Sequence, residues 1–172
     1  MGIIEIKEGF IISVTTILRN DLTSENKMKF ALELSLPKSR DEVWKAFNNP
    51  ENIKNWQPSL AKFETISGIQ GQAGSVSKLT YKEGKREFSL IEKITHCAAP
   101  DRLDSAYENE FADNSIMNTF VVVNENETLW RVEVEFIFKT LLMKIIGPLM
   151  KTNYILRTER DMQRFKTFVE NV

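Results

Sequence analysis

The chain has 172 residues, 42% of them hydrophobic, and its 23 lysines and arginines stand against 24 aspartates and glutamates for a formal net charge of −1. That length suits one domain able to bury most of its unfolded surface without staples, and a near-neutral balance provides no broad field to draw nucleic acid or an anionic bilayer. One cysteine (Cys97) and one histidine (His96) exclude an internal disulfide and are too few for a zinc site, so no metal or cofactor is expected and a reducing, cytoplasmic setting is the simple reading.

Residues 1–27 form a weak strand-like stretch that ends in the polar run Asn20 to Lys27. Two readings stay open there: an added strand or arm, or a stretch ahead of a start at Met28. Phe10 to Leu18 is apolar, but Glu5, Lys7 and Glu8 give it an acidic lead and no small-residue cleavage site follows, unlike a signal peptide. From Lys29 to Leu36, Phe30, Leu32, Leu34 and Leu36 alternate with Lys29, Ala31, Glu33 and Ser35, the period of a half-buried strand. Pro37 ends it. Ser39-Arg40-Asp41-Glu42 is a capping box before Val43, Trp44 and Phe47, and Asn49-Pro50 starts a second short helix carrying Ile53 and Trp56.

Six strand patterns follow: Leu60 to Ile69, Val76 to Lys82, Glu87 to His96, Arg102 to Phe111, Met117 to Val123 and Leu129 to Phe138. Turn residues at Glu83-Gly84, Pro100-Asp101, Asp113-Asn114 and Asn124 to Glu127 separate them, and such short links favour antiparallel neighbours. After Thr140, apolar residues at Leu142, Ile145, Ile146, Leu149 and Met150, then Met162, Phe165, Phe168 and Val169, predict a long one-sided helix with a kink near Gly147-Pro148. Lys139, Lys144, Gly147 and Pro148 interrupt Ile137 to Met150, so no stable membrane insertion is expected.

The local motifs Asp41-Glu42-Val43-Trp44-Lys45-Ala46-Phe47, Asn49-Pro50-Glu51-Asn52, Trp56 and Phe165-Lys166 with Glu170 resemble the helix-grip superfamily of START-like domains. More narrowly, residues 28–172 are similar to the polyketide cyclase/dehydrase and lipid transport family, often labelled SRPBCC, with residues 1–27 outside the pattern. The resemblance implies an α+β fold in which a seven-stranded curved antiparallel sheet wraps around the C-terminal helix, with a deep cavity between them. Members bind lipids, polyketides or other hydrophobic molecules, and some are cyclases or dehydratases, so the fold alone does not choose between carriage and chemistry.

Alternation turns Leu79, Tyr81, Phe88, Leu90, Tyr107, Asn118, Phe120, Trp130 and Val132 inward, and these, with Glu92 and Met150, are the candidate cavity lining. An aromatic face is more often plain core, and a buried amide such as Asn118 more often structural than ligand-binding. Tyr81 and Tyr107 stand out because an inward hydroxyl needs a partner that a ligand could supply. Glu92 and His96 are four residues apart, about 13 Å along a strand at about 3.3 Å per residue. That is too far for a dyad, so Glu92 is read as a rim residue or a partner of Arg86 or Lys93. No catalytic constellation stands out.

Gly68, Gly71 and Gly74 lie between two strands, the wrong context for a phosphate loop and a reasonable one for a flexible turn at the cavity mouth. Lys78, Lys82, Lys85 and Arg86 are interleaved with Glu83 and Glu87, as on a solvated hairpin. The leading expectation is therefore a monomer or weak dimer that carries a small hydrophobic ligand. A polyketide cyclase/dehydratase-like enzyme is the alternative, and a protein-partner binding module the third.

Overall fold

The structure, a computed structural model, describes residues 26–172; the strand-like reading of residues 1–25 lies outside the described residues. The first strand, β1 (Lys27–Leu36), opens one residue before Met28. Its five inward side chains, Met28, Phe30, Leu32, Leu34 and Leu36, are all buried, as strict alternation requires. Helix α1 (Arg40–Phe47) follows. Its capping box is complete: Ser39 accepts from the Glu42 backbone N–H while the Glu42 carboxylate accepts from the Ser39 N–H at 3.1 Å. A turn of 3-10 helix (Pro50–Asn52) leads into α2 (Ile53–Trp56), so the second predicted helix is split in two.

Six further strands complete the sheet: β2 (Leu60–Ser67), β3 (Val76–Glu83), β4 (Arg86–Ala98), β5 (Arg102–Glu108), β6 (Ala112–Asn124) and β7 (Glu127–Phe138). All pair antiparallel in the order β1-β7-β6-β5-β4-β3-β2. The first two strands lie at opposite edges, and α1 and α2 carry the chain from one edge to the other. Helix α3 (Leu141–Leu149) is capped by the Thr140 hydroxyl, which accepts from the Met143 N–H at 3.2 Å, and α4 (Lys151–Glu170) follows. The expected break falls just after Pro148, where the Met150 N–H reaches back to Ile146 and Gly147.

One turn differs from the sequence reading. Asp113 and Asn114 lie within β6, opposite Glu108 and Tyr107, and the hairpin is closed three residues earlier. There the Asn109 side chain accepts from the Phe111 and Ala112 N–H groups at 2.8 and 2.9 Å, an Asx turn that leaves the next two polar residues free to join the strand. The glycine loop sits between β2 and β3 as expected. A side chain at Gly68 (φ +79°) would meet the Ser75 Cα at 2.8 Å, and one at Gly71 (φ +74°) the Asn48 side chain at 2.6 Å, so both positions need glycine.

Helix α4 lies against the concave face but does not cover it evenly. Its principal contacts are with β1 and α2, and β3 to β5 are not among them. This asymmetry divides the inward face into a half packed under α4 and α2 and a half, on β3 to β5, with fewer helix contacts. Among the described residues no helix is long and apolar enough to cross a membrane.

Candidate functional site

The filled half is aromatic. Phe165, fully buried on α4, has its ring centroid 5.1 Å from Trp130, 5.5 Å from Trp56 and 5.6 Å from Phe47, all edge-to-face. Phe120 stacks on Trp130 at 6.1 Å, and Trp44 meets Phe120 edge-on at 5.9 Å. Of the candidate lining residues, Phe120, Trp130 and Val132 therefore belong to packed core. Asn118 belongs there too. It accepts from Trp130 Nε1 at 3.1 Å and donates to the Leu103 carbonyl at 3.4 Å, so its amide is occupied by the protein itself.

The other half is built on a row of polar side chains. Strand register sets Ser77 beside Glu92, Glu92 beside Tyr107, and Tyr107 beside Asn114, one residue from each of β3, β4, β5 and β6 on the same face. Tyr107 donates its O–H to Glu92 Oε1 at 2.5 Å, and Ser105 adds a second hydrogen bond to the same carboxylate. Protein atoms crowd Glu92 and Tyr107 from most directions, yet both keep some accessible surface. Asn114 Oδ1 is buried without a hydrogen-bond partner among the described residues.

Burial raises the Glu92 carboxyl above the usual range, although the Tyr107 and Ser105 hydrogen bonds pull the other way. Burial likewise raises the Tyr107 phenol, and the negative charge at Glu92 raises it further. The Glu92–Tyr107 pair thus favours a form with the phenolic proton kept in place. This corrects the rim reading of Glu92. Lys93 points to the opposite face, and Arg86 lies exposed at the far end of the strand opposite Glu83. His96 is also separated from Glu92: a bulge between Ile94 and His96 shifts the pairing, and His96 ends exposed beside Asp104.

Tyr81 forms the side wall. Its hydroxyl donates to Gln57 Oε1 at 2.8 Å, its ring stacks on Phe88 at 5.5 Å, and the Arg157 guanidinium of α4 lies 5.9 Å from the ring centroid. Both candidate tyrosines therefore find protein partners for their hydroxyls. Leu79 is buried beneath them with Leu90 packed alongside, while Phe88 is 38% exposed at the hairpin end. Met150 is not on this wall: it caps the junction between α3 and α4, partly exposed. From α4, Tyr154 packs on Phe136 at 4.6 Å, and the Asp161 carboxyl is raised by burial while Arg164 holds it at 3.0 Å.

Sequence reading missed Ser77, Ser105, Asn114, Arg157 and Asp161. Asn114 was hidden by its turn-like neighbour Asp113. Arg157 and Asp161 share the inward stripe of Met162 and Phe165, a spacing that could have exposed them.

A groove lies elsewhere, on the outer face of the sheet. It measures about 570 Å³ and is lined by Lys29, Thr95, Asp104, Met117, Arg131 and Glu133 among others. Its charges are already matched, with Lys29 on Glu135 at 3.2 Å and Arg131 on Glu33 at 2.8 Å. A groove of exposed, self-neutralised ion pairs has little to offer a ligand, so the inward row is the candidate site.

No protein-family model matches the chain, and no curated protein matches it in sequence. Solved structures match its fold. It is similar to a conserved protein from Geobacillus kaustophilus, with TM-score 0.71, 12% identity, and coverage of 84% of this chain and 96% of that one. It is similar to Ara h 8.0201, with TM-score 0.69, 17% identity, and coverage of 85% and 99%. A third similar structure is norcoclaurine synthase from Thalictrum flavum in complex with dopamine and hydroxybenzaldehyde, with TM-score 0.64, 16% identity, and coverage of 99% and 97%. At these identities the likeness is one of fold. The fold is the helix-grip fold that the START-like resemblance implies.

Proposed function

We propose that the protein binds or carries a small hydrophobic molecule, of the lipid or polyketide kind, between the concave sheet and α4. The observation that carries this reading is the uneven fit of the helix. Aromatic packing closes one half of the concave face, whereas the Glu92–Tyr107 row on the other half keeps accessible surface beneath Leu90, Phe88 and Tyr81. An apolar wall with a few convergent polar groups is the usual make-up of a small-molecule site. A protein of the same fold, norcoclaurine synthase, was solved with dopamine and hydroxybenzaldehyde, which supports a ligand role for such a space.

Native mass spectrometry of gently purified protein tests this. A copurifying hydrophobic adduct is expected, and Leu90→Trp, which fills the wall, should lose it while unfolding at a similar temperature. Protein that is empty from several hosts and fails to bind 1-anilinonaphthalene-8-sulfonate would overturn the reading.

The convergence of Glu92 and Tyr107 favours a second reading, a cyclase- or dehydratase-like enzyme acting on a ligand in the same place. A carboxyl raised by burial and joined to a phenol is suited to moving a proton. Turnover of a bound ligand that is lost in Tyr107→Phe, with ligand affinity kept, would decide for chemistry over carriage.

A further inference from the structure

The inward carboxylate of Glu92 has no opposite charge beside it. Its hydrogen bonds come from two hydroxyls, those of Tyr107 and Ser105, and no lysine or arginine among the described residues pairs with it. The cations of the facing helix are engaged elsewhere: Glu83 holds Arg157 at 3.0 Å and Asp161 holds Arg164 at 3.0 Å. The Tyr107 oxygen, its proton committed to Glu92, is an acceptor within reach of the Ser105 hydroxyl, whose single proton is divided between Tyr107 and Glu92. Asn114 adds a buried Oδ1 with no partner among the described residues. Aromatic rings share this sheet face, Tyr107 itself and the stacked pair Tyr81 and Phe88. The negative faces of such rings attract cations, and a buried carboxylate is costly until it is paired.

We propose that the sheet–helix cavity selects a ligand with an apolar body and one protonated amine, and that Glu92 receives the ammonium as its ion pair. This deepens the carrier reading and rests on it. The ammonium adds N–H donors where they are short: one Tyr107 proton and one Ser105 proton serve the two Glu92 oxygens and the Tyr107 oxygen, and Asn114 Oδ1, one strand further on, has no partner among the described residues. Charge balance follows from burial. In the empty site the Glu92 carboxyl keeps its proton to higher pH than a surface glutamate, whereas the arriving ammonium favours the carboxylate and sends that proton to solvent. The other titratable groups facing Glu92 are Tyr107 and Tyr81, both raised by burial and neutral at ordinary pH, and Asp161 with Arg157 on α4.

The test is isothermal titration of the full chain with three probes that share one aromatic body: 2-(1-naphthyl)ethylamine, 2-(1-naphthyl)ethanol and 1-naphthylacetate. The amine should bind at least about tenfold more tightly than the alcohol, the span of one charge-assisted hydrogen bond, and the acetate least tightly. Glu92→Gln should erase the advantage of the amine over the alcohol, and its far-ultraviolet circular dichroism with a cooperative melt, measured alongside, shows that the variant folds. If amine and alcohol bind equally, or the advantage survives Glu92→Gln, the assignment of an amine ligand is overturned while the carrier reading stands. If none of the three binds at millimolar concentration, both are overturned.

Discussion

Replacing Phe165 by alanine tests whether α4 is held by the aromatic cluster. Phe165 is fully buried, and its ring stands edge-on to Trp130, Trp56 and Phe47 at centroid distances of 5.1, 5.5 and 5.6 Å. Deleting a buried phenylalanine ring costs about 3–5 kcal/mol in lost transfer energy and cavity, and each edge-to-face pair adds about 0.5–1.5 kcal/mol beyond its area. The three pairs are lost in one deletion and are not independent, so the upper end of the core range, about 4–5 kcal/mol, is expected. That is a large share of the roughly 5–15 kcal/mol that holds a typical domain together. Phe165→Leu keeps most of the volume and should cost about 1.5 kcal/mol or less. Urea unfolding followed by far-ultraviolet circular dichroism avoids the tryptophans that the substitution touches. The midpoint should fall in that order with an unchanged slope. A loss below about 1 kcal/mol for alanine, the ordinary size of a surface effect or small core change, or equal losses for alanine and leucine, would refute the argument that ring edges hold the helix.

The other predictions concern single atoms. Burial raises the folded-state value of Glu92 above its unfolded value of 4.5, so its contribution to stability is fully present below that pH and is lost as pH rises through the folded-state value. Wild type should therefore lose thermal stability relative to Glu92→Gln as pH rises above 4.5, and parallel melting curves would contradict the burial argument. Asn118→Ala leaves the Trp130 Nε1–H without its acceptor and should cost about 1–3 kcal/mol; a double-mutant cycle with Trp130→Phe should show coupling, and simple additivity would mean that the hydrogen bond contributes nothing. A methyl group at Gly147 would sit 2.3 Å from Phe138 Cζ. Gly147→Ala should thus destabilise by about 1–3 kcal/mol as an overpacked contact, and adding Phe138→Leu should recover part of the loss in the same urea assay.

Much of the fold was legible because its signals are local. The alternation in β1 and β7, the Ser39–Glu42 capping box and Pro148 each act within a few residues, and each holds in the structure. The candidate site was harder to read because it depends on register and side-chain pairing between distant segments. Tyr107 meets Glu92 across 15 residues and Tyr81 meets Gln57 across 24. For Asn118 sequence favours a structural amide without naming its partners, which are the Trp130 indole and the Leu103 carbonyl, and for Glu92 it leaves open cavity, rim or an ion pair with Arg86 or Lys93. The bulge beyond Ile94, which parts Glu92 from His96, leaves no glycine or proline to mark it.

The division of the concave face follows from the inward stripe of α4. Read along the helix, that stripe begins with Tyr154, Arg157, Thr158 and Asp161 and continues with Met162, Phe165 and Val169. The apolar end is buried to 3% exposure or less and can close on β1, α2 and the tryptophans. The polar end cannot close in the same way on β3 to β5, because doing so would strip water from the Arg157 and Asp161 charges against a wall that already holds Glu92. Arg157 instead turns to Glu83 and the face of Tyr81, and Asp161 to Arg164. The helix is therefore joined to the sheet by apolar packing at its C-terminal end and by Tyr154 and polar contacts at its N-terminal end. The stripe thus changes character midway along α4, and the proposed ligand would lie where its polar end faces the Glu92–Tyr107 row.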